Sequence, residues 1–502
     1  MQFVQSMFII AQDNTSTLNH IVESHTAAAS GSKPSWWPFV EDLAYLIAAI
    51  LFIFGLKKLS SPRTARKGNA TSAVGMLIAI LATCYFQNWL SVSWILAAMV
   101  IGSGIGWILA VKIKMTGMPQ LVGLFNGFGG LASLLVATSE YIKLYQHGSL
   151  NELTFDRGVT LGLALLIGGV TWTGSLIAFL KLQGTLSGKP VKLPGQLAFN
   201  TLAVLACLAG CIWLAIDPST SWIIIMLWVL GWILGVTLVI PIGGADMPVA
   251  ICLLNSYSGL AAAMTGFILS PPNKALMVSG ALVGASGIIL TYIMCKAMNR
   301  SLANVLFAGI GTSDSAGPAI EGAEADKTAR SVDAEEFAML LEDATKVVIV
   351  PGYGMAVAQA QYAVRDLFHK LVKKGIDVKF GIHPVAGRMP GHMNVLLAEV
   401  DMPYETLCDL ETINAELEQT DIALVLGAND VVNPAARENK GSPIYGMPII
   451  NVDKARTVVV SKRSLRPGYA GVANPLFYLD NTLMLFGDAK EKMQEVTAAI
   501  ED

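Results

Sequence analysis

The residues best suited to bind a nucleotide lie in one stretch, residues 346–361, with the sequence KVVIVPGYGMAVAQAQ. Its β-branched start, Val347 to Val350, predicts a buried strand, and the small residues after Gly354 suit a helix. Strand, glycine turn and helix form the context that a dinucleotide fingerprint requires. Gly352 would permit the tight turn, and Gly354 would let the backbone approach a pyrophosphate at the helix N-terminus. The stretch predicts a dinucleotide site, with a plain strand–turn–helix as the alternative.

A second apolar run supports the nucleotide interpretation. Residues Val378 to Ile382 begin about 30 residues after the first strand and would close a βαβ unit. Ala356 or Val357 stands where the fingerprint often has its third glycine. Further elements are predicted as strands at Ile422–Leu426, Pro448–Val452 and Thr457–Val460 and as a closing helix from about Ala489 to Ile500. Alternating strands and helices predict an open parallel sheet.

The residues that follow the predicted strands favour NADP(H) over NAD(H). An acidic residue normally ends the second strand of an NAD site, where it binds the ribose 2′-hydroxyl. Here that strand ends in Phe380 to His383, without an acid. Lys462 and Arg463 instead follow a later strand, next to Ser464, and two cations beside a hydroxyl suit a 2′-phosphate. A solvated basic turn is the alternative for these three residues.

The composition is that of a membrane protein. Of the 502 residues 53% are hydrophobic and only 14% are charged. Nine apolar segments are predicted to span a bilayer, near Leu43–Leu56, Ala73–Phe86, Val92–Val111, Leu121–Ala137, Val159–Leu180, Leu197–Ile216, Trp222–Ile240, Val249–Leu269 and Ala275–Ala297. A spanning helix needs about 20 residues, so the first two segments must include flanking residues. The formal net charge of −3 gives no reason to expect nucleic acid as a partner.

Basic residues indicate how these segments are oriented. The loop after the first segment contains Lys57, Lys58, Arg63, Arg66 and Lys67. The loops after the third, fifth and ninth segments are basic as well, whereas the loops on the opposite side hold only Lys143, Arg157 and Lys274. This bias predicts an N-terminus outside the cell and a C-terminal domain in the cytosol.

These patterns divide the chain into four predicted regions. They are a polar N-terminal tail (1–38), a transmembrane domain (39–300), a linker (301–342) and a nucleotide-binding domain (343–502). The last region has the size of one domain. The predicted fold class is an all-α polytopic membrane domain of nine transmembrane helices, followed by an α/β Rossmann-like open parallel-sheet domain.

Cysteine and histidine spacing predicts no metal site. Cys207 and Cys211 share a helix face, but no histidine joins them, which favours small buried core residues. His383 and His392 flank the loop after the second predicted strand. Because further ligands are lacking, packing contacts or loop hydrogen bonds are expected for both histidines.

Several longer runs resemble one known family. They are GYGMAVAQAQY, GIHPVAGRMPGHMNVLLAE, GANDVVNPAA, SKRS and GYAGV, with GGADMP, LNSYSGLAAA and IMCKAMNRS in the membrane part. Together they are similar to the beta subunit of proton-translocating NAD(P) transhydrogenase, from about residue 40 to the end. The resemblance implies an NADP(H)-binding domain on this chain and a separate NAD(H)-binding domain on a partner. It also implies direct hydride transfer between the two nicotinamides, coupled to proton movement through the membrane.

The resemblance carries expectations about partners and location. It implies alpha subunits with membrane helices of their own, a dimer of alpha–beta units in a lipid bilayer, and a place in the bacterial inner membrane. No side chain is expected to act as acid or base in the hydride step. A transporter gated by a nucleotide-sensing domain is the alternative from another class, and it differs in that bound NADP(H) would not react.

The resemblance also implies the residues of the NADP(H) site. With the glycine stretch, they are Gly352, Tyr353, Gly354, Met355, Ala356, Val357, Val385, Ala386, Gly387, Arg388, Met389, Pro390, Gly427, Ala428, Asn429, Asp430, Val431, Gly446, Met447, Lys462, Arg463, Ser464, Leu465, Arg466, Pro467, Gly468, Tyr469, Asp488 and Ala489. Lys462 and Arg463 would hold the 2′-phosphate, and the loop from Arg466 to Tyr469 would cover the nucleotide. The family binds the nucleotide in a reversed sense over the sheet, so these ligands need not follow the second strand.

One departure from the family concerns the proton path. Many members carry an ionisable histidine in the fourth membrane segment, where this chain has Asn126. An amide can orient water but cannot store a proton, and an intramembrane proton carrier is normally ionisable. Either a partner supplies that group or held water conducts alone; we expect a histidine on a partner helix. The residues predicted to form the path are Asn126, Asn255, Ser256, Asp246 and Arg300. Interhelical hydrogen bonding is the alternative, preferred for Ser256 and left open for Asn126 and Asn255.

Overall fold

The structure is a computed structural model that describes residues 37–59, 61–86, 92–188, 190–191, 193–307, 328–442, 444–468 and 470–501. Most of the predicted N-terminal tail and residues 308–327 of the predicted linker lie outside the described residues. The chain divides into two compact units after Val111. The second unit contains the later membrane helices together with the predicted nucleotide domain, because the helices and the domain contact each other directly.

Nine helices of the described residues are long and apolar enough to cross a membrane, which confirms the prediction of a multi-pass architecture. Their bounds are α1 Trp37–Leu59, α2 Pro62–Phe86, α3 Val92–Lys112, α4 Met118–Gln146, α5 Phe155–Gln183, α6 Gln196–Ile216, α7 Trp222–Val239, α8 Met247–Ile268 and α9 Lys274–Ala297. The first two helices reach their length by including flanking residues, and α2 therefore starts ahead of the basic residues Arg63 and Arg66.

In the first unit, α1 and α2 pack on each other through small residues. A Cβ on Gly68 would lie 2.8 Å from the Gly55 carbonyl oxygen, so the helices approach as closely as glycine allows. Nearer the other end, the hydroxyl groups of Tyr45 and Thr83 are hydrogen-bonded at 3.0 Å. Contacts between small and polar residues therefore fix how α1 packs on α2, because the surrounding apolar side chains are too similar to specify one arrangement.

In the second unit, α5 is the central membrane helix and packs on α4, α6, α7 and α8. Glycines again set the distances: a Cβ on Gly130 of α4 would lie 2.9 Å from the Gly168 carbonyl oxygen of α5. Cys207 and Cys211 of α6 are fully buried in this core, in agreement with their predicted role as small core residues.

The C-terminal part contains one six-stranded parallel sheet in the order β3-β2-β1-β4-β5-β6. Its strands are β1 Lys346–Pro351, β2 Asp377–Gly381, β3 Leu407–Cys408, β4 Ile422–Leu426, β5 Thr457–Lys462 and β6 Thr482–Phe486. The central strands β1, β4 and β5 are almost entirely buried, which is typical of a parallel sheet covered on both faces. The predicted parallel-sheet fold is confirmed.

The strand predictions were right at four places and wrong at one. Residues Pro448 to Val452 do not form a strand; the chain there runs beside the sheet and ends in a short 3₁₀ turn. The reason is that a helix residue takes its backbone hydrogen bonds: the side chain of Asn414, in the helix Leu410–Glu416, donates to the Ile449 carbonyl and accepts from the Asn451 amide. Strands β3 and β6 were not predicted.

The remaining helices are α10 Leu302–Phe307, α11 Ala334–Glu342, α12 Tyr353–Val357, α13 Gln361–Lys373, α14 His392–Glu399, α15 Leu410–Glu416, α16 Ala435–Glu438 and α17 Ala489–Ala499. Helix α11 buries Phe337 and Leu341 completely in the core of the sheet domain. Just before it, the Val332 amide donates to the Met484 carbonyl of β6 at 3.0 Å. Residues ahead of 343, where the sequence pattern placed the start of the domain, therefore also pack on the sheet.

Candidate functional site

The strand order creates a crevice at one edge of the sheet. Because the order reverses between β1 and β4, the loops after these strands leave in opposite directions, and open α/β sheets bind ligands at such a point. A cleft of 1090 Å³ lies there. The loops after β1, β2, β4 and β5 line one side, and Ser187, Gly243, Asp246 and Arg300 from the ends of the membrane helices line the other.

Most of the residues predicted for nucleotide binding line this cleft. They are Gly352, Tyr353, Gly354, Val357, Val385, Ala386, Gly387, Arg388, Gly427, Ala428, Asn429, Asp430, Val431, Met447, Lys462, Arg463, Ser464, Arg466, Pro467, Gly468 and Ala489. Met355 and Ala356 lie buried beneath the turn. The predicted residues Met389, Pro390, Gly446, Leu465 and Asp488 are not among the lining residues, and Tyr469 lies outside the described residues.

The sequence pattern missed other lining residues. Those of the sheet domain are Ala358, Ile444, Ser461, Ala470 and Gly487, and those of the membrane part include Gly188, Pro190, Gly244 and Met298. The run GGADMP contains Gly243 and Gly244, so it could have indicated the membrane side of the cleft. Ser187 and Pro190 carried no comparable signal.

Three glycines bring the loops after β1 and β4 into direct backbone contact. A Cβ on Gly427 would lie 2.5 Å from Gly354 Cα, and one on Gly352 would lie 2.5 Å from Ala428 Cα. Gly427 has φ +68°, in the left-handed region that favours glycine. The Gly354 amide donates to the Gly427 carbonyl oxygen at 2.9 Å. Gly354 therefore approaches the loop after β4. Its predicted approach to a pyrophosphate stays a prediction.

Replacing Gly427 with alanine is expected to destabilise the sheet domain. The new Cβ would meet the backbone of Gly354, which cannot move away without breaking the loop pairing, and φ would be strained. We expect the free energy of unfolding to fall by about 1–3 kcal/mol, seen as faster hydrogen–deuterium exchange in β1 and β4 of the full-length chain. Gly441→Ala is the control, since its Cβ would meet nothing closer than Asn439 Oδ1 at 3.4 Å. Equal exchange in both variants would contradict the loop pairing.

The basic pair lies on the rim of the cleft, at the end of β5. Lys462 Nζ donates to the Arg466 carbonyl oxygen and lies 4.9 Å from the centre of the Phe477 ring. Burial lowers the pKa of Lys462, and the nearby Asp430 carboxylate partly opposes this. Arg463 is exposed and makes no hydrogen bond or ion pair with the described residues. One desolvated ammonium group beside one unpaired guanidinium is a donor set that fits a phosphate dianion.

Two buried histidines shape the loop after β2. His383 Nδ1 accepts a hydrogen bond from the Val385 amide at 3.2 Å, so Nε2 carries the proton and donates to the Pro448 carbonyl at 2.7 Å. Burial lowers the pKa of His383 to about 4, which keeps the ring neutral at physiological pH. His392 Nδ1 accepts from the Arg388 amide at 3.1 Å. Both histidines therefore make the loop hydrogen bonds that were expected of them.

Arg388 connects the cleft to the membrane helices. Its guanidinium carbon lies 4.3 Å from the centre of the Tyr353 ring, and Nη1 donates to the Leu182 carbonyl oxygen at 3.0 Å. The same carbonyl, at the end of α5, accepts from Gln120 Nε2 in the first turn of α4 at 3.2 Å. A shift of the loop after β2 would therefore reach the cleft-side ends of both helices.

The residues predicted for the proton path lie in two separate places. Asp246 and Arg300 form an ion pair of 2.9 Å on the membrane side of the cleft. Burial raises the pKa of Asp246, and Arg300 opposes the rise. Asn126 of α4 lies against α8, where its Nδ2 donates to the Ile251 carbonyl at 3.3 Å. Ser256 Oγ donates to Gly284 of α9 at 2.7 Å, the interhelical role preferred for it, and its neighbour Asn255 is partly buried.

Comparisons with known proteins cover both the membrane helices and the sheet domain. A family model described as NAD(P) transhydrogenase beta subunit matches residues 41–499. A protein of Rhodospirillum rubrum named NAD(P) transhydrogenase subunit beta is 49% identical over 460 residues, which cover 91% of this chain and 98% of that protein. A second protein of the same name, from a specified strain of that species, matches with the same figures.

Proposed function

Because the chain belongs to the NAD(P) transhydrogenase beta subunit family, we propose that it binds NADP(H) in the cleft after β1 and β4. An alpha subunit would bind NAD(H), and hydride would pass directly between the two nicotinamides. The carrying observation is the cleft at the point of strand reversal, with Lys462 and Arg463 on its rim. Its volume is large enough for a dinucleotide-sized ligand.

The preference for NADP(H) rests on charge. In NAD sites an acid after the second strand binds the ribose 2′-hydroxyl, and here that position is taken by the neutral ring of His383. Lys462 and Arg463 supply positive charge at the end of β5 instead. NADP(H) supplies the hydride chemistry itself, so the chain's residues need only bind, orient and shield it.

We propose that two contacts couple nucleotide binding in the cleft to proton translocation through the membrane helices. The Asp246–Arg300 ion pair lies on the membrane wall of the cleft, and Arg388 shares the Leu182 carbonyl with Gln120. Gln120 precedes Asn126 on α4 by six residues, about 9 Å along the helix. A change in nucleotide occupancy or redox state would thus alter contacts at the helix end that leads to Asn126.

The proposed location of the chain in the cell follows from the proposed coupling. We place the chain in the bacterial inner membrane with the sheet domain in the cytosol, where nicotinamide nucleotides are found, and with two alpha–beta units forming a dimer. A transporter gated by nucleotide binding is the alternative. The test is the two-subunit complex in sealed vesicles with an entrapped pH dye, supplied with NADPH and NAD⁺. Hydride transfer without a pH change would contradict proton translocation alone. Absence of hydride transfer would contradict the entire proposed function.

Replacing Asn126 with leucine is expected to slow proton-coupled hydride transfer in these vesicles. The amide is proposed to hold water on the proton path, and a lost hydrogen bond of about 1.4 kcal/mol corresponds to about a tenfold slower rate. NADP(H) affinity should not change. Asn200→Leu is the matched control, since this buried amide of α6 binds Thr237 and lies outside the proposed path. Undiminished pumping by Asn126→Leu would show that protons take another route.

A further inference from the structure

Glu140 is a buried carboxylate that the proposed function does not yet use. It lies on α4, fourteen residues beyond Asn126, which is about 21 Å along the helix. Its side chain is only 7% exposed, and Oε2 lies 3.7 Å from Lys143 Nζ. Oε1 is buried and has no hydrogen-bond partner among the described residues. A carboxylate oxygen left in this state is costly for the fold, so its presence calls for a use.

The helix geometry places Glu140 in line with Asn126. Asn126, Ser133 and Glu140 are spaced by seven residues, so they fall on one face of α4. This face packs against α8: Asn126 Nδ2 donates to the Ile251 carbonyl, and Thr265 Oγ1 of α8 donates to the Ser133 carbonyl at 3.3 Å. Polar groups therefore follow the α4–α8 interface from Asn126 toward the turn that carries Glu140.

A second orphaned polar atom lies beside Asn126. Ser175 of α5 is completely buried, and its hydroxyl has no hydrogen-bond partner in the part of the chain that the structure describes. It lies next to the residue after Asn126, because a Cβ on Gly127 would be 3.1 Å from Ser175 Cβ. A buried hydroxyl without a protein partner, next to an amide, is the kind of group that ordered water satisfies.

Glu140 lies at the end of α4 remote from the sheet domain, since the first turn of α4 meets Arg388 through the Leu182 carbonyl. At this end, the charged residues on the neighbouring α5 are Asp156 and Arg157. Arg157 Nη2 donates to Ile268, the last residue of α8, at 2.5 Å. From Ser258 to its end α8 has no charged residue, and Lys143 is the only ion-pair partner that the described residues give Glu140.

We propose that Glu140 is the proton-carrying group at the end of α4 that is remote from the sheet domain. The carboxylate takes one proton from bulk water on that side and releases it to a neighbouring water molecule. Further water molecules between the helices would relay the proton along about 21 Å of α4 to the water near Asn126 and Ser175, and in the reverse direction the same steps run backwards. Asn126 and Ser175 do not change charge. This inference rests on the proposed function, because it assigns a group to the proton path of the same complex.

The test uses the two-subunit complex in vesicles. Glu140→Gln keeps the shape but cannot carry a proton, so we expect proton movement and coupled hydride transfer to slow about tenfold or more. Glu140→Asp keeps the carboxyl group and should recover most of the rate. Glu152→Gln is the control, because Glu152 is an exposed carboxylate at the same end of the helices. NADP(H) content and assembly with the alpha subunit should be unchanged in all three variants.

A chemical measurement avoids any folding defect of the variants. Dicyclohexylcarbodiimide reacts with carboxyl groups in apolar surroundings, and we expect it to modify Glu140 of the unmutated complex, located by mass spectrometry of the α4 peptide. Proton movement should be lost in parallel with this modification.

Proton movement that persists in Glu140→Gln, or after complete modification of Glu140, would overturn the inference while the proposed function stands. Absence of proton movement in the unmutated complex, with hydride transfer intact, would instead overturn the proposed coupling and the inference with it.

Discussion

Purified without its alpha subunit, the chain is expected to show no hydride transfer between NADPH and NAD⁺. Direct transfer requires two nucleotides with the reacting atoms about 3–3.5 Å apart. The sequence has one glycine turn in a strand–turn–helix context, and the described residues form one parallel sheet with one strand reversal. A single site can exchange NADP⁺ for NADPH but cannot hold donor and acceptor together.

Adding the alpha subunit should restore the reaction from background to a readily measured rate. The assay follows absorbance as NADPH reduces an NAD⁺ analogue with a shifted spectrum. The matched control is the alpha subunit alone, which should also be inactive. Turnover by this chain, with mass spectrometry showing no alpha subunit in the sample, would contradict the proposed division of the two nucleotides between subunits.

Local patterns predicted much of this fold because the relevant forces are local. Lipid imposes a continuous apolar run on every spanning helix, so nine segments could be recognised from composition alone. The β1 strand and its glycine turn lie within one stretch of sixteen residues. In contrast, β3 has only the two residues Leu407 and Cys408, too few for any periodic pattern, and it forms because β2 offers it an edge.

The candidate site was harder to predict because residues that are far apart in the sequence come together to line it. Nothing near Gly354 in the sequence indicates that Gly427 will pack against it. Similarly, Ser187 and Met298 face the cleft only because the sheet domain packs on the ends of α5 and α9. The seven-residue spacing of Asn126, Ser133 and Glu140 is visible in the sequence, but the burial of Glu140 and its unpartnered oxygen are not.

NADP⁺ is expected to bind the full-length chain far more tightly than NAD⁺, and Arg463→Ala should remove much of that difference. A hydrogen bond to a charged group contributes about 1.5–3 kcal/mol, so the dissociation constant for NADP⁺ should rise about 10- to 150-fold. Affinity for NAD⁺, which lacks the 2′-phosphate, should stay the same. Isothermal titration calorimetry with both nucleotides measures each value on the same protein.

Arg456→Ala is the matched control for Arg463→Ala. Arg456 is also an exposed arginine of the sheet domain, but it precedes β5 and pairs with Asp421 at 2.9 Å, at the edge of the sheet opposite to the cleft. It should leave both affinities unchanged. Equal affinity of the unmutated chain for NADP⁺ and NAD⁺, or equal weakening of both by Arg463→Ala, would exclude Arg463 as a ligand of the 2′-phosphate.

Arg463 is a cleaner probe of this contact than Lys462. Lys462 holds the loop through the Arg466 carbonyl and packs on Phe477, so its removal would alter the cover of the cleft as well as its charge. Arg463 makes no such contact with the described residues.

Because the Arg463 guanidinium is exposed, added salt should screen its attraction to the 2′-phosphate. Phosphate monoesters lose their second negative charge below about pH 6. The preference for NADP⁺ should therefore shrink both in high salt and on acidification through that pH, and Arg463→Ala should be much less sensitive to either change.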